Sequence, residues 1–295
     1  MSVPQPDIDS ATAEFETVRP RLFGIAYRML GTVAEAEDVV QDAWIRWQGT
    51  DRSQVRNPSA FLSTVITRLS INVSGSSRAR RETYVGPWLP EPVLTENDPA
   101  LGAERKEALE VGILLLLERL TPTERAVYLL REAFDYDFGA IAEVLETSEA
   151  NARQLARRAR AHLEEDRSKR VAPAERDRLL RAFFSAAQSG DLEQLENVLA
   201  QDIVLYADGG GVVAAARRPV SGLDRVSKLL ADGIKGFAGV AVDFVEANGE
   251  SAAIMSRDGE PFAFCSIAAG EHGIESLYVI FNPDKLQGLR SRGTS

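Results

Sequence analysis

Asn151, Arg153, Gln154, Arg157, Arg158 and Arg160 are the residues whose types and spacing point first to a chemistry. A carboxamide carries a donor beside an acceptor and can match a base edge, while a guanidinium matches phosphate oxygens. The amides come early in this stretch and most of the arginines follow, an order that suits base edges first and backbone afterwards. Cys265 is the only cysteine, so no intramolecular disulfide and no cysteine-rich metal site can form. No spacing in the chain suits a metal site, and no cofactor is expected.

Those side chains need one helix to carry them. Ala152, Leu155, Ala156, Ala159 and Leu163 supply its apolar face, and the six polar residues lie off that face. Before it, Phe138, Ile141, Ala142 and Leu145 recur at i, i+3, i+4 and i+7, one buried face of a shorter helix. Thr147 and Ser148 interrupt the two with N-cap hydroxyls, and Glu149 sits at the positive end of the second helix dipole. A short helix, a tight turn and a second helix with small buried residues describe a helix-turn-helix, whose second helix enters a major groove. A solvated basic face on an ordinary helical hairpin has the same spacing, and the pattern alone leaves both readings open.

The 295 residues are enough for two or three domains, and 44% hydrophobic with 26% charged residues is an ordinary globular composition. The start, MSVPQPDIDSATAEFE, carries no signal-peptide pattern, and the longest apolar run, Val111 to Leu117, is too short to span a bilayer. A cytoplasmic protein with no membrane partner is expected. A net charge of -10 argues against a protein that coats nucleic acid unaided. The charge is uneven: Arg153 to Arg170 holds seven basic and three acidic residues, against five and eleven in Leu101 to Ala150. A basic reading helix on an acidic body suggests binding that needs a partner.

Upstream, Phe15, Val18, Leu22, Ile25, Ala26 and Met29 mark a helix ending at Gly31. Thr32 and Glu35 read as a capping box opening a second helix, with Ala36, Val39, Val40, Ala43, Trp44 and Trp47 inside. Glu35, Asp38, Gln41 and Asp42 form an acidic strip that fits either a solvated face or a docking surface for a basic partner. After the polar loop Gly49 to Asn57, Asn57 and Pro58 start a third helix, which Gly75 and its serines are expected to weaken before Arg78, Arg80, Arg81 and Tyr84. Basic residues beside an aromatic suit unstacked DNA, and they equally suit a frayed helix end. Gly86 to Pro99 has four prolines and reads as an extended linker, with Trp88 and Leu89 docking on a neighbouring domain. A helix from Ala103 to Leu120 follows, then a capping box at Thr121 to Glu124 opening a helix with Val127, Leu130 and Phe134 inside. Beyond Pro173 the pattern is α+β: helices at 179–187, 192–199 and 223–234, strands at 203–206, 240–245, 262–267 and 274–281, and turns at Asn248-Gly249 and Asp258-Gly259. An antiparallel sheet is expected.

The segment AYRMLGTVAEAEDVVQDAWIRW (Ala26 to Trp47) resembles the polymerase-binding segment of extracytoplasmic-function sigma factors of the sigma-70 family. The resemblance continues through NPSAFLSTVITRLS and the basic cluster and resumes at LERLTPTERAVYLLREAF and the helix-turn-helix. It covers roughly Phe15 to His162. The serine-rich stretch Ser70 to Ser77 departs from the longer, more basic helix usual there. RRETYVGPWLPEP, AAQSGDLEQLENVLAQDIVLYADGGG (Ala186 to Gly211) and NPDKL (Asn282 to Leu286) resemble the subgroup that carries a C-terminal SnoaL-like domain.

This resemblance implies a multidomain chain: two all-α sigma domains, a region 2 helical bundle over 10–85 and a region 4 helix-turn-helix over 103–170, joined by a Pro-rich linker over 86–102. An α+β SnoaL-like, NTF2-like cone domain follows over 173–288. It implies that Asp38, Gln41 and Asp42 dock on the clamp helices of the largest (beta-prime) subunit of bacterial core RNA polymerase. Promoter DNA is the other partner. Asn57, with Arg78, Arg80, Arg81 and Tyr84, would open and hold the -10 element, and Asn151, Arg153, Gln154, Arg157 and Arg158 would read the -35 element.

In the SnoaL-like fold, an internal cavity could hold an unnamed small molecule. Catalysis there would need an acid or base, and the candidates are Asp208, Asp243, His272, Tyr206 and Tyr278, none in a nucleophile constellation. The resemblance implies instead that the domain regulates the others in cis, as no enzyme. Its expected seams are Trp88, Leu89 and Pro90, then Asp208, Gly209, Gly210 and Gly211, then Asn282, Pro283, Asp284, Lys285 and Leu286. The alternative is a DNA-binding module fused to an active SnoaL-like enzyme.

Overall fold

The computed structural model describes residues 8–95, 110–164, 171–234 and 236–292, which fall into two compact units. The first takes residues 8–80 and 117–164 and is all-α. Helix α1 (Ile8–Leu30) ends where Gly31 turns to φ +74, and α2 (Val33–Gln48) begins two residues on. Their apolar stripes close a core of Leu22, Ile25, Ala26 and Met29 with Ala36, Val39, Val40 and Ala43. Trp47 is fully buried there, its indole N–H donating to Ala11 O at 3.1 Å. The expected capping box at Thr32 does not form. Its hydroxyl donates to Glu35, and Glu35 is claimed from α3 by Ser77 (2.6 Å) and Arg80.

Asn57 caps α3 (Pro58–Glu82) by accepting from Ala60 N at 3.1 Å. The serines do not weaken this helix, which runs unbroken through them. Ser63, Thr67, Ser70, Ser74 and Ser77 occupy its buried side, where Thr67 and Ser74 return their hydroxyls to backbone carbonyls one turn back. Small buried residues let a helix pack closely, and Gly75 faces open space.

Of the expected 103–120 helix, Val111–Leu117 forms as α4, residues 118–120 turn out of it, and 103–109 lie outside the described residues. Helix α5 (Pro122–Glu132) opens on a complete Thr121–Glu124 capping box. It packs Val127 and Leu130 under α6 (Phe138–Val144) and α7 (Glu149–Glu164), whose Ile141, Ala142, Ala152 and Ala156 complete that core. This helix-turn-helix part docks on α1 and α3. Arg125 is buried and donates to Met29 O (2.7 Å) and Leu117 O (2.9 Å) while pairing with Glu118. Arg68 donates to Val144 O (2.8 Å) and Glu143 O (3.1 Å), the open carbonyls at the end of α6.

The second unit holds residues 81–95, 110–116 and 171 onward. Helices α8 (Pro173–Ser189), α9 (Leu192–Asn197) and α10 (Leu223–Ile234) accompany a six-stranded sheet. Its strands are β1 (Leu199–Asp208), β2 (Val220–Ser221), β3 (Ala241–Ala247), β4 (Glu250–Arg257), β5 (Glu260–Gly270) and β6 (Gly273–Ile280), in the order β2-β1-β6-β5-β4-β3. The sheet is mixed, not antiparallel throughout, because β1 and β6 run parallel. Tight hairpins flank β4: Asn248 and Gly249, then Asp258 and Gly259, all have positive φ, as type I′ turns require.

Alternation along the strands gives the sheet two apolar faces. One packs Leu205, Cys265 and Val279 with α8–α10. The other carries Ile254, Phe264, Tyr278 and Ile280, and it is covered by chain from elsewhere: Leu89 of the linker, Val111 of α4, and Leu286 and Leu289 of the closing 3-10 segment Pro283–Arg292. The linker also lies along the end of edge strand β3. Thr95 N donates to Glu246 O (2.9 Å), Asn248 N to Val93 O (2.7 Å), and Leu94 pairs with Ala247.

Candidate nucleic-acid interface and linker latch

Helix α7 presents Asn151, Arg153, Gln154, Arg157 and Arg158 on its exposed side, as the spacing predicted. Ser148 caps the helix by accepting from Asn151 N (3.2 Å), and the Asn151 amide donates to Thr147 (2.8 Å). Arg153 pairs with Glu149 and lies 4.6 Å over the Phe138 ring, while Arg160 is taken by Glu132. Gln154, Arg157 and Arg158 make no side-chain hydrogen bond or ion pair among the described residues, so these three meet a ligand with no internal bond to break.

On α2, Asp38, Gln41 and Asp42 are exposed together, but Glu35 leaves that strip for its bonds to α3. The -10 candidates separate. Asn57 is a helix cap; Arg78 is exposed; Arg80 is paired with Glu35. Arg81 and Tyr84 belong to the second unit, where Arg81 stacks 3.8 Å over the Trp88 ring and Tyr84 joins a buried polar cluster.

That cluster is built on Asp208, which is 0% exposed at the end of β1. Its carboxylate accepts from Tyr84 Oη (2.6 Å), Leu89 N (2.9 Å), Gly210 N (3.0 Å) and Lys285 Nζ (2.7 Å). Lys285 also donates to Leu89 O, and its ammonium lies 4.4 Å from the Trp88 ring. Asn282 donates to Tyr84 Oη (2.8 Å) and its carbonyl side accepts from Asp284 N, while Asn282 N donates to Asp208 O. Burial pushes the Lys285 ammonium down to about 8, with Asp208 holding it up against that pull, and burial with Asp208 raises the Tyr84 phenol. Four donors on one buried carboxylate form a charge-assisted latch that ties linker, DGGG turn and closing segment together.

The glycines of that turn are close-approach positions. A Cβ on Gly210 (φ +62) would meet Asn282 Nδ2 at 2.5 Å, and one on Gly209 would meet Val213 O at 2.2 Å. Gly211 (φ +74) faces Val85. Leu89 is fully buried, Pro90 is buried, and Leu286 sits in the same apolar cluster; Pro283 opens the segment that carries Lys285.

A second buried group escaped the sequence reading. Arg176 of α8 bridges Glu110 (2.9 Å) and Glu250 (3.2 Å), and Glu250 accepts from Val111 N at the start of α4. Burial, reinforced by Glu110 and opposed by Arg176, pushes Glu250 up to about 8. Residues from three separate stretches meet here, and nothing in their local sequence announces it.

Between the helices and the first face of the sheet lies a cavity of about 400 Å³, lined mainly by apolar side chains with Arg257 and Cys265. Burial holds the Cys265 thiol up at about 12. None of the acid–base candidates lines it: Asp208 is in the latch, Tyr206 and Tyr278 stack on each other (5.4 Å), and Asp243 and His272 are exposed. Among the described residues there is no group of three or more His, Cys, Asp or Glu placed to hold a metal, and no helix long and apolar enough to cross a membrane.

The chain matches family models for "Sigma-70 region 2" over residues 15–82 and "Sigma-70, region 4" over residues 111–163. It is 36% identical to the "ECF RNA polymerase sigma factor SigJ" of Mycobacterium tuberculosis, across 94% of this chain and 93% of that protein. It is 30% identical to the "Probable ECF RNA polymerase sigma factor SigI" of the same organism, across 96% and 97%. The crystal structure of the Mycobacterium tuberculosis SigJ matches with a TM-score of 0.77 at 34% identity, across 94% of this chain and 98% of that one.

Proposed function

Since the chain belongs to the extracytoplasmic-function sigma factors of the sigma-70 family and is an alternative-sigma initiation factor, we propose that its α+β domain governs initiation in cis by holding the linker. As a sigma factor it binds core RNA polymerase and promoter DNA. In our reading Asp38, Gln41 and Asp42 meet the beta-prime clamp helices. Asn151, Arg153, Gln154, Arg157 and Arg158 read the -35 element, and Asn57 with Arg78 and Arg80 serves the -10 element. Arg81 and Tyr84 join them only when the latch opens. The protein works in the cytoplasm, where core polymerase is. In our reading the α+β domain regulates, and its Asp208 serves the latch instead of lining the cavity.

The observation that supports this is the fate of the only chain joining the two DNA-reading regions. Centres of the -35 and -10 elements lie about 25 base pairs apart, roughly 85 Å of duplex axis. Regions docked through Arg125 and Met29 at 2.7 Å cannot span that distance, so they must separate. Residues 81–116 would reach about 120 Å if drawn out. Both described ends of that tether are instead fixed in the second unit, one at Asp208 and the other at Glu250.

The test is initiation in vitro with core polymerase and Asp208→Asn. Losing this charge strands a buried Lys285 ammonium, at a cost of about 3–5 kcal/mol to the latch. Promoter-specific initiation is expected to rise, together with hydrogen exchange at the Leu89 amide. Unchanged initiation from a variant whose Leu89 amide has become exchangeable refutes cis control.

A further inference from the structure

The cavity in the α+β domain and the latch share a piece of chain. Ala207 lines the cavity and is followed directly by Asp208; Phe281 lines it and is followed directly by Asn282. Between β1 and β2, Ala214, Ala215 and Ala216 also line it. The same connection touches the linker, with Gly211 against Val85 and the backbone of Ala216 and Arg217 against Gly86. Anything that swells the cavity against residues 214–216 therefore pushes on the seat of residues 84–89.

The lining says what would fit. Phe183, Phe184, Phe237, Phe262 and Phe281 give aromatic faces and edges on several sides, which favour a flat apolar body. About 400 Å³ is within the range of small-molecule sites. Arg257 is the single cation on the described wall. It donates to Gly236 O (2.7 Å), lies 5.3 Å over Phe262, and has no carboxylate partner among the described residues. Among the described residues the wall carries no carboxylate, and its one thiol stays neutral.

We propose that this cavity is a receptor site for an aromatic-bodied molecule bearing one carboxylate, which pairs with Arg257, and that filling it loosens the latch through residues 209–217. The second half of this inference rests on the latch reading above; the first does not.

Full-length protein is titrated by calorimetry with naphthalene-2-carboxylate and with the uncharged naphthalene-2-carboxamide, and amide exchange over 84–95 is followed at saturation. One site is expected, with the carboxylate bound at least tenfold tighter. Arg257→Gln is expected to erase that preference and Arg257→Lys to keep it. Exchange at Leu89 is expected to rise severalfold on saturation with the carboxylate. Absence of saturable binding overturns the proposal, as does a preference that survives in Arg257→Gln or binding that leaves Leu89 exchange unchanged. Failure here with Asp208→Asn still raising transcription removes the receptor and leaves the latch. Unchanged transcription in Asp208→Asn with an exchangeable Leu89 amide removes cis control whatever the calorimetry gives.

Discussion

Glu110, Arg176 and Glu250 put two carboxylates on one guanidinium in a buried site, and Glu250 settles the imbalance by keeping its proton. Its pKa is raised from 4.5 to about 8, so the folded chain holds a proton that the unfolded chain releases above 4.5. That contribution to stability is complete below pH 4.5 and is lost as pH rises through 8. Lys285 has the opposite sign. Lowered from 10.5 to about 8, it gives a contribution that grows between pH 8 and 10.5, as the unfolded chain keeps a proton the folded one has shed. Thermal unfolding across pH 5 to 8 is expected to show a falling midpoint for the wild type, on the order of 5 °C. In Glu250→Gln the curve over that range should be nearly flat. An unaltered slope in Glu250→Gln would mean that Glu250 is already ionised in the native state. Asp208 stands out in the sequence because its DGGG resembles a motif of the SnoaL-like subgroup. Glu250 does not: it follows an Asn-Gly turn, and only the fold brings Arg176 and Glu110 to it.

At the scale of elements, the proposed reading gives positions along α7 different work. Gln154 near the start is suited to a base edge, and Arg158 one turn later to a phosphate. Gln154→Ala is expected to relax preference at one promoter position by about 1–3 kcal/mol, read from binding across single-base variants of the -35 element. Arg158→Ala is expected to weaken all sequences alike and to lower the salt slope by about 1. Swapped outcomes would reverse the two assignments.

Local chemistry made the helix-turn-helix legible, since its apolar period, caps and polar face all lie within 27 residues, Asp137 to Leu163. The same rules misread Thr32 because Glu35 has better partners on α3, 42 and 45 residues away. They misread the serine run as a weak helix because serine propensity is set locally, whereas its burial is decided by the helix it packs on. Strand β4 was missed for its alanines, though type I′ turn residues bracket it. The parallel pairing of β1 with β6 leaves no local mark at all.

For the whole molecule, the proposed cis control sets the seated linker against a released one. Burying the Leu89 side chain alone contributes about 2 kcal/mol, a factor of roughly 30 between the two. A partner that needs the open form sees its affinity divided by that factor. Leu89→Ala is therefore expected to tighten binding to core polymerase and promoter by about 30-fold in fluorescence anisotropy. No tightening would mean that closure at Leu89 does not oppose binding.

Leu89 and Val111, which help to cover the second face of the sheet, belong to the stretch that joins the two DNA-reading regions. One stretch thus answers to two demands. Under the proposed cis control, each change that seats it better lowers leakage in the uninduced state and raises the signal needed for release; each change that frees it does the reverse. On that proposal, basal noise and sensitivity to the inducing stimulus cannot be tuned separately while both are written in residues 81–95.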